Sequence, residues 1–403
     1  MALMPVAEAL ARVLADAEPL AAEAVPLAQA HGRVLAADVA ALRTQPPADV
    51  SAMDGYAVRS ADVVQAPFKL RLVGEVAAGH PFRGAVGPGE AARIFTGGVL
   101  PPGTDTIVIQ ENTVREGDAV VITAASGKGK HVRVEGLDFK CGAVLLTKGR
   151  RLSDRDLALA AAMNHPTVRV HRRPKVALLA TGDELVMPGG TPGFGQIVYS
   201  NGYATMALAR REGCEVIDLG IVPDRLAETA AGVRRARELG ADILVTSGGA
   251  SVGDYDLVRE ALAVEGLALS FWKVAVRPGK PLLSGRLGAM RVLGLPGNPV
   301  SAYVCAVLFL VPLIRSLTGR HDVALPLAPG VLGRDLPAND ERADYMRATL
   351  ARRDDGTLVA TPFPLQDSSM LVPLAAADCL VVRAPHARAA AAGSPCSLVK
   401  LDD

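Results

Sequence analysis

The chain has 403 residues, more than a single hydrophobic core usually spans, so about two to four domains are expected. Half of the residues are apolar, and 43 Lys and Arg nearly balance 42 Asp and Glu for a formal net charge of +1. That balance, with no long basic run, argues against a nucleic-acid binder. The 5 cysteines are scattered, with no C-x-x-C pair, which argues against a disulfide framework or structural zinc and fits a reducing cytoplasm.

The opening Met1-Ala-Leu-Met-Pro5 lacks the basic start and long apolar stretch of a signal peptide. Val6, Leu10, Val13 and Leu14 recur at helical spacing and predict an amphipathic helix. From about 33 to 149, Gly and Pro recur between short β-prone runs such as Lys69–Val76 and Thr106–Ile109, which predicts a β-rich region. A helix is expected over 152–164, with Ser153 as its N-cap. From Pro174 the texture becomes regular. Short strands at Val176–Ala180, Glu215–Leu219, Ile243–Val245 and Val292–Leu295 alternate with helices, one over 200–211 and one capped by Asp224 and stopping at Gly240. Such alternation implies a mostly parallel sheet covered on both faces, with ligands at the carboxyl ends of its strands. The apolar run Ala302–Ile314 is shorter than the roughly 20 residues of a membrane span and contains Pro312, so it reads as a buried helix and no membrane partner is expected. Beyond Gly319, Tyr345–Leu350 and Thr357–Thr361 flank Asp354-Asp355-Gly356 like the arms of a hairpin, and a small β domain follows from about 327.

The polar loops fall at the expected strand ends. Ser247-Gly-Gly-Ala-Ser-Val-Gly-Asp254-Tyr-Asp256 lies between a strand and a helix, where glycines admit a close ligand and free N–H groups favour an anion. It is neither a Walker loop nor a G-x-G-x-x-G fingerprint, and a plain tight turn is the bland alternative. Arg277-Pro-Gly-Lys280-Pro sets two cations beside a rigid turn, suited to a phosphate or oxyanion, although an isolated Pro-Gly turn is more often just a turn. Leu295-Pro-Gly-Asn-Pro299 is a stiff strand-to-helix connection whether or not it binds ligand. Asp183, Glu184, Asp224, Asp254 and Asp256 gather acids near a phosphate-type loop, an arrangement that calls for a hard cation such as Mg²⁺ between them. Asp224 alone reads more simply as a helix cap. Nothing local gives Asp54, in Ser51-Ala-Met-Asp-Gly-Tyr-Ala57, a role beyond a turn.

Taken together and in order, these segments are specific. Ser51–Ala57, Thr96-Gly-Gly-x-x-Pro-x-Gly-x-Asp105, Thr181-Gly-Asp-Glu-Leu185, Ser247–Asp256, Arg277–Pro281 and Leu295-Pro-Gly-Asn-Pro-Val-Ser-Ala302 resemble the molybdopterin molybdenumtransferase family, which includes the C-terminal domain of gephyrin. The resemblance spans about 5 to 320. It implies a multidomain α/β and β protein. A linker unit would comprise 1–42 and 146–173, its first helix packed on the α/β domain. A β-rich inserted domain (43–145), a three-layer molybdopterin-binding α/β domain (174–325) and a C-terminal β domain (326–403) would follow.

The implied activity is insertion of molybdate into adenylyl-molybdopterin, with Mg²⁺-dependent release of AMP, by a cytoplasmic homodimer. The enzyme of the preceding adenylylation and apo-molybdoenzymes are its implied partners. By motif position, Asp54, Thr96, Glu184, Asp224 and Asp256 would be catalytic, with Glu184, Asp224 and Asp256 holding the metal. Ser247, Gly248, Gly249, Ser251, Arg277, Lys280, Ser284, Pro296, Asn298 and Pro299 would bind the substrate. Ala250 replaces a common valine, and Gln366-Asp-Ser-Ser-Met370 lacks the glycine-containing turn expected there, which leaves Arg342, Arg347 and Ser369 without an assigned role. The alternative is a non-catalytic binding or scaffold protein on the same fold; a charged, mutually repelling set of acids favours the enzyme.

Overall fold

The computed structural model describes residues 3–248 and 257–401. Helix α1 (Val6–Leu14) buries Ala9 and Val13 against the α/β core, with Val6, Leu10 and Leu14 partly covered beside them. The chain then runs through Ala22–Pro26, which pairs antiparallel with the much later Thr167–His171. Around that pairing Leu35, Phe139, Leu146, Leu152 and Met163 form a small separate core. Helix α2 (Asp154–Ala162) starts as the sequence requires: the Ser153 hydroxyl accepts from the Asp156 amide and the Asp156 carboxylate accepts from the Ser153 amide, a capping box.

Between these two halves sits a six-stranded mixed sheet in the order Thr106–Ile109, Gly55–Val58, Glu90–Ile94, Phe68–Val76, Ala119–Ile122, Thr113–Glu116. Glu90–Ile94 and Phe68–Val76 run parallel; the other neighbours are antiparallel.

The α/β domain has strands β1 (Lys175–Thr181), β2 (Glu215–Val222), β3 (Ile243–Ser247), β4 (Ala268–Trp272), β5 (Leu283–Leu287) and β6 (Met290–Leu295), ordered β2-β1-β3-β6-β5-β4. The first four of that order are parallel, as the buried apolar runs predict. The last two strands of that order, β5 and the edge strand β4, are antiparallel and have no counterpart in the sequence reading. Helices α3 (Asn201–Arg211), α4 (Leu226–Glu238) and α5 (Leu257–Val264) cover the sheet with a long apolar helix, α6, over Pro299–Leu317. By length and mean hydropathy (2.0) α6 could cross a membrane, yet 83% of its most apolar window is inside the protein, as a core helix. A π-helical turn at Ala306–Leu310 precedes Pro312. Proline lacks an amide and crowds the carbonyl four residues back, so a wider turn relieves the helix there. One expectation is corrected: Asp224 does not cap α4. Arg225 occupies the N-cap, without a side-chain cap bond, and the Asp224 amide donates to Asp183 Oδ1 at 3.2 Å.

The C-terminal domain closes on itself. Ala343–Arg352, Leu358–Pro362, Ala328–Leu332, Pro395–Lys400 and Cys379–Arg383 are paired in sequence around a ring, since the last also pairs with the first. The Asp354-Asp355-Gly356 hairpin joins the first two, with Gly356 at φ +84°. Val276–Arg277 adds to the same sheet, tying the domain to the α/β unit.

Candidate active site

A cavity of about 600 Å³ opens where β1, β3 and β6 end. Thr181 and Glu184 come from the loop after β1, Ser247 and Gly248 from the end of β3, and Pro296–Pro299 from the turn after β6. Gly248 is required: at φ +91° a Cβ would sit 2.3 Å from the Thr181 carbonyl oxygen. The Thr181 hydroxyl is buried and has no hydrogen-bond partner among the described residues.

The opposite wall is the start of α3. Tyr199 is 3% exposed and its phenol fits because Gly202 leaves room, a Cβ there falling 1.8 Å from the Tyr199 oxygen. Burial raises the Tyr199 phenol above its usual pKa, helped by Asp218 and opposed by a hydrogen bond with the Ser247 side chain. Asn201 Nδ2 donates to the Gly297 carbonyl at 2.7 Å, fastening α3 to the Pro296–Pro299 turn. The N-termini of α3 and α6 both face this cavity through lining residues Ser200, Asn201, Asn298 and Pro299, and neither is capped by its own side chain. At the start of α6 Pro299 has no N–H and the Val300 amide is taken by the Ser368 carbonyl, so the free donors that favour an anion lie chiefly at the start of α3.

The C-terminal domain closes the cavity with Ser369. Asn298 Nδ2 donates to Ser368 Oγ at 2.9 Å, and the Val300 amide to the Ser368 carbonyl at 3.0 Å. Behind that loop Arg347, 1% exposed, donates to the carbonyls of Met370 (2.8 Å) and Asp367 (2.9 Å) and to Gln366 Oε1. The guanidinium thus sets the path of 365–370 in place of the missing glycine turn. Asp367 Oδ1 accepts from both the amide and the hydroxyl of Ser369, orienting it.

The acids are distributed unevenly. Glu184 lines the cavity, while Asp183 and the exposed Asp224 stand one strand apart, where Thr181 pairs with Val222. Among the described residues no group of three or more His, Cys, Asp or Glu is gathered to hold a metal. Glu184 and its neighbouring aspartates are nevertheless hard oxygen donors, and Mg²⁺ is usually held by one or two carboxylates with the substrate's phosphates, so the residues present fit that ion. Gly249, Ser251 and Asp256 lie outside the described residues.

Three expected residues sit elsewhere. The Arg277 guanidinium is committed to the C-terminal domain, where Nε donates to Asp344 Oδ1 at 2.7 Å and Nη1 pairs with Asp340 at 3.3 Å. Lys280 is exposed and its carbonyl accepts from the Val274 amide; only its neighbour Pro281 lines the cavity. Ser284 is brought instead to a separate cleft between α1 and β5–β6, beside Arg286 and Arg291.

Asp54 and Thr96, 42 residues apart, meet: Asp54 Oδ1 accepts from the Thr96 amide at 2.7 Å and from its hydroxyl at 2.8 Å. Those bonds, and Arg93 nearby, hold the Asp54 carboxyl below its usual pKa. Arg93 is fixed in turn by the Gly55 carbonyl (2.9 Å), Gln110 (2.8 Å) and the faces of Tyr56 and Phe95. None of the described residues lining the cavity belongs to 43–145. Sequence reasoning overlooked Tyr199 and Asn201; the signal was Tyr-Ser-Asn immediately before a helix that begins at a strand-end loop.

Comparison with known proteins agrees with this architecture. Residues 4–164 match the MoeA N-terminal region (domain I and II), 177–316 a probable molybdopterin binding domain, and 329–401 the MoeA C-terminal region (domain IV). A molybdopterin molybdenumtransferase of Nostoc sp. is 41% identical over 337 residues, 81% of this chain and 77% of that protein. That of Haemophilus influenzae is 35% identical over 366 residues, 90% of each. The crystal structure of a molybdopterin biosynthesis MoeA protein from Pyrococcus horikoshii OT3 superposes with a TM-score of 0.84 at 28% identity, covering 99% of this chain and 100% of that one. The chain belongs to the molybdopterin molybdenumtransferase family.

Proposed function

We propose that this chain inserts molybdate into adenylyl-molybdopterin and releases AMP, giving the molybdenum cofactor. The observation that carries the reading is the cavity of about 600 Å³ at the strand ends, onto which the uncapped N-terminus of α3 and the Pro296–Pro299 turn open. Such a site suits a phosphate-bearing ligand. Ser247, Gly248 and the Pro296–Pro299 turn line its floor, and Gly249 and Ser251 continue the loop in sequence. Lys280, beside the lining residue Pro281, offers its ammonium to an oxyanion. Arg277 serves that turn indirectly, by pairing it with Asp344.

Glu184, with Asp224 and Asp256, would hold Mg²⁺. Bound there, the ion would neutralise charge developing on the bridging phosphates. Glu184 and the aspartates would meet the phosphates only across that ion, and Tyr199 with Ser247 excludes water from the inner wall.

Asp54 and Thr96 belong to the reaction through a partner subunit. Since the inserted β domain supplies no described lining residue, an isologous homodimer would bring one chain's Asp54–Thr96 loop to the other's cavity, making two composite sites. Cytoplasmic residence, hand-over from the adenylylating enzyme and delivery to apo-molybdoenzymes belong to the same reading; all five cysteines are free thiols. The test is to incubate purified protein with adenylyl-molybdopterin, molybdate and Mg²⁺, then measure AMP and activation of an apo-molybdoenzyme. AMP release that depends on molybdate is expected; substrate bound without turnover would return the scaffold alternative.

A further inference from the structure

A second cavity, of about 320 Å³, lies where the linker unit, the end of α6 and the C-terminal barrel meet. Its polar lining is unbalanced: Arg151, Arg211, Arg315, Arg320 and Lys400 face only Glu212 and Asp322. The acids are already spent. Glu212, 5% exposed, accepts from Arg320 Nη1 at 2.8 Å and from Arg315 Nε at 3.2 Å, and Asp322 pairs with Arg320. Arg151 and Arg211 have no carboxylate partner among the described residues. Arg151 Nη2 donates to the Arg211 carbonyl at 2.6 Å, and Arg211 Nη1 to the Leu401 carbonyl at 2.7 Å.

A guanidinium carries five N–H donors in a planar fork that matches a tetrahedral oxyanion. Each of these two arginines thus keeps most of its donors, held in place by a single carbonyl bond. Desolvation and the like charges of Arg320 and Arg315 lower the Arg151 pKa, the signature of cations crowded without enough countercharge. Val307, Val311 and Leu325 complete the wall, so the recess also accommodates an apolar or small organic portion.

We propose that this junction cavity is a binding site for a dianionic tetrahedral oxyanion, free or as a phosphate monoester, gripped by Arg151 and Arg211 and separate from the catalytic cavity. The ligand would touch residues from the linker, α3, α6 and the last strand at once, and so would stiffen the junction of three domains. Two sources share this chemistry: a phosphate group, or molybdate held before insertion.

The test uses the full-length protein and calorimetric titration with inorganic phosphate, molybdate and AMP in separate arms at constant ionic strength. Melting curves are taken in phosphate and in matched chloride. Wild type is expected to bind at least one probe saturably and to melt higher in it than in chloride. Arg151→Gln and Arg211→Gln are each expected to weaken that binding at least tenfold (about 1.4 kcal/mol) and to abolish the melting shift, with AMP release from adenylyl-molybdopterin unchanged. Lys400→Gln, at an exposed strand position, gives the same direction with less risk to folding. A phosphate response with no molybdate response identifies the first source, and the reverse identifies the second. Equal binding by wild type and all three variants would overturn the proposal.

Discussion

The Asp54–Thr96 loop and the strand-end cavity hold their polar groups in opposite ways. In the β-rich sheet the carboxylate is closed onto its own chain: one oxygen takes both Thr96 donors, and Arg93, clamped between carbonyl, amide and two aromatic faces, fixes the charge beside it. In the cavity the donors are left open. The start of α3 has no side-chain cap, the Thr181 hydroxyl has no partner among the described residues, and the walls come from six separate segments and two domains. A preorganised acid is ready to act on something delivered to it; an open, donor-rich recess is ready to receive an anion. On the proposed reading the two regions are complementary halves of one composite site.

The comparison can be broken from the cavity side first. Arg347→Met removes the buried guanidinium that holds the carbonyls of 367 and 370. Leaving those carbonyls unsatisfied is expected to cost about 3 kcal/mol in chemical denaturation. Adenylate affinity is expected to fall with it, because Ser368 and Ser369 lose their support. An unchanged affinity would remove the C-terminal loop from the site. Glu184→Gln keeps the wall's shape and loses its charge, so AMP release is expected to drop about 100-fold while the adenylate Kd moves little. A Kd effect as large as the rate effect would make Glu184 a binding residue instead.

Gly248→Ala tests the close approach between the β3 loop and Thr181. With a Cβ 2.3 Å from a carbonyl oxygen and φ at +91°, roughly 2 kcal/mol of stability should be lost through backbone strain, and calorimetry should show weaker adenylate binding. The smallest expected effect lies in the β-rich half. The Asp54 carboxyl is held below its usual pKa chiefly by the Thr96 amide and then by the Thr96 hydroxyl. Because the folded value is depressed, the contribution of this contact is present above the unfolded value and is lost as pH falls through the folded one. Thr96→Val keeps the amide donor and removes the hydroxyl, so the Asp54 titration followed by carbon-detected NMR should move up part of the way. The acid limb of the turnover profile should move in the same direction.

Much of the cavity was legible in the sequence because α/β periodicity puts loops at strand carboxyl ends. Thr181–Glu184, Ser247-Gly248 and Pro296–Pro299 all stand there. The hairpin at Gly356 and the capping box at Ser153 were legible because each is a local rule about φ or about an unpaired amide. What was missed is non-local. The role of Asp224 was misread because a neighbouring strand's loop, through Asp183, claims its amide, and register alone shows that pairing. The antiparallel strands β4 and β5 carry polar residues and Gly285, so they lack the apolar run that marks the parallel strands. Arg277 looked like an anion ligand, yet it pairs with Asp344 from 67 residues away. Gln366–Met370 looked irregular for want of glycine, whereas the buried Arg347 holds it from the neighbouring strand.

The most direct measurement of the central claim is complementation in mixed dimers. Asp54→Asn and Glu184→Gln chains, carrying different tags and co-expressed, are purified through both tags, and AMP release is compared with that of each parent homodimer. In a mixed dimer one composite site has both acids intact and the other has neither, so about half of the wild-type turnover per dimer is expected, with both parents nearly inactive. Mixed dimers as inactive as either parent would contradict the shared site and place the action of Asp54 within its own chain.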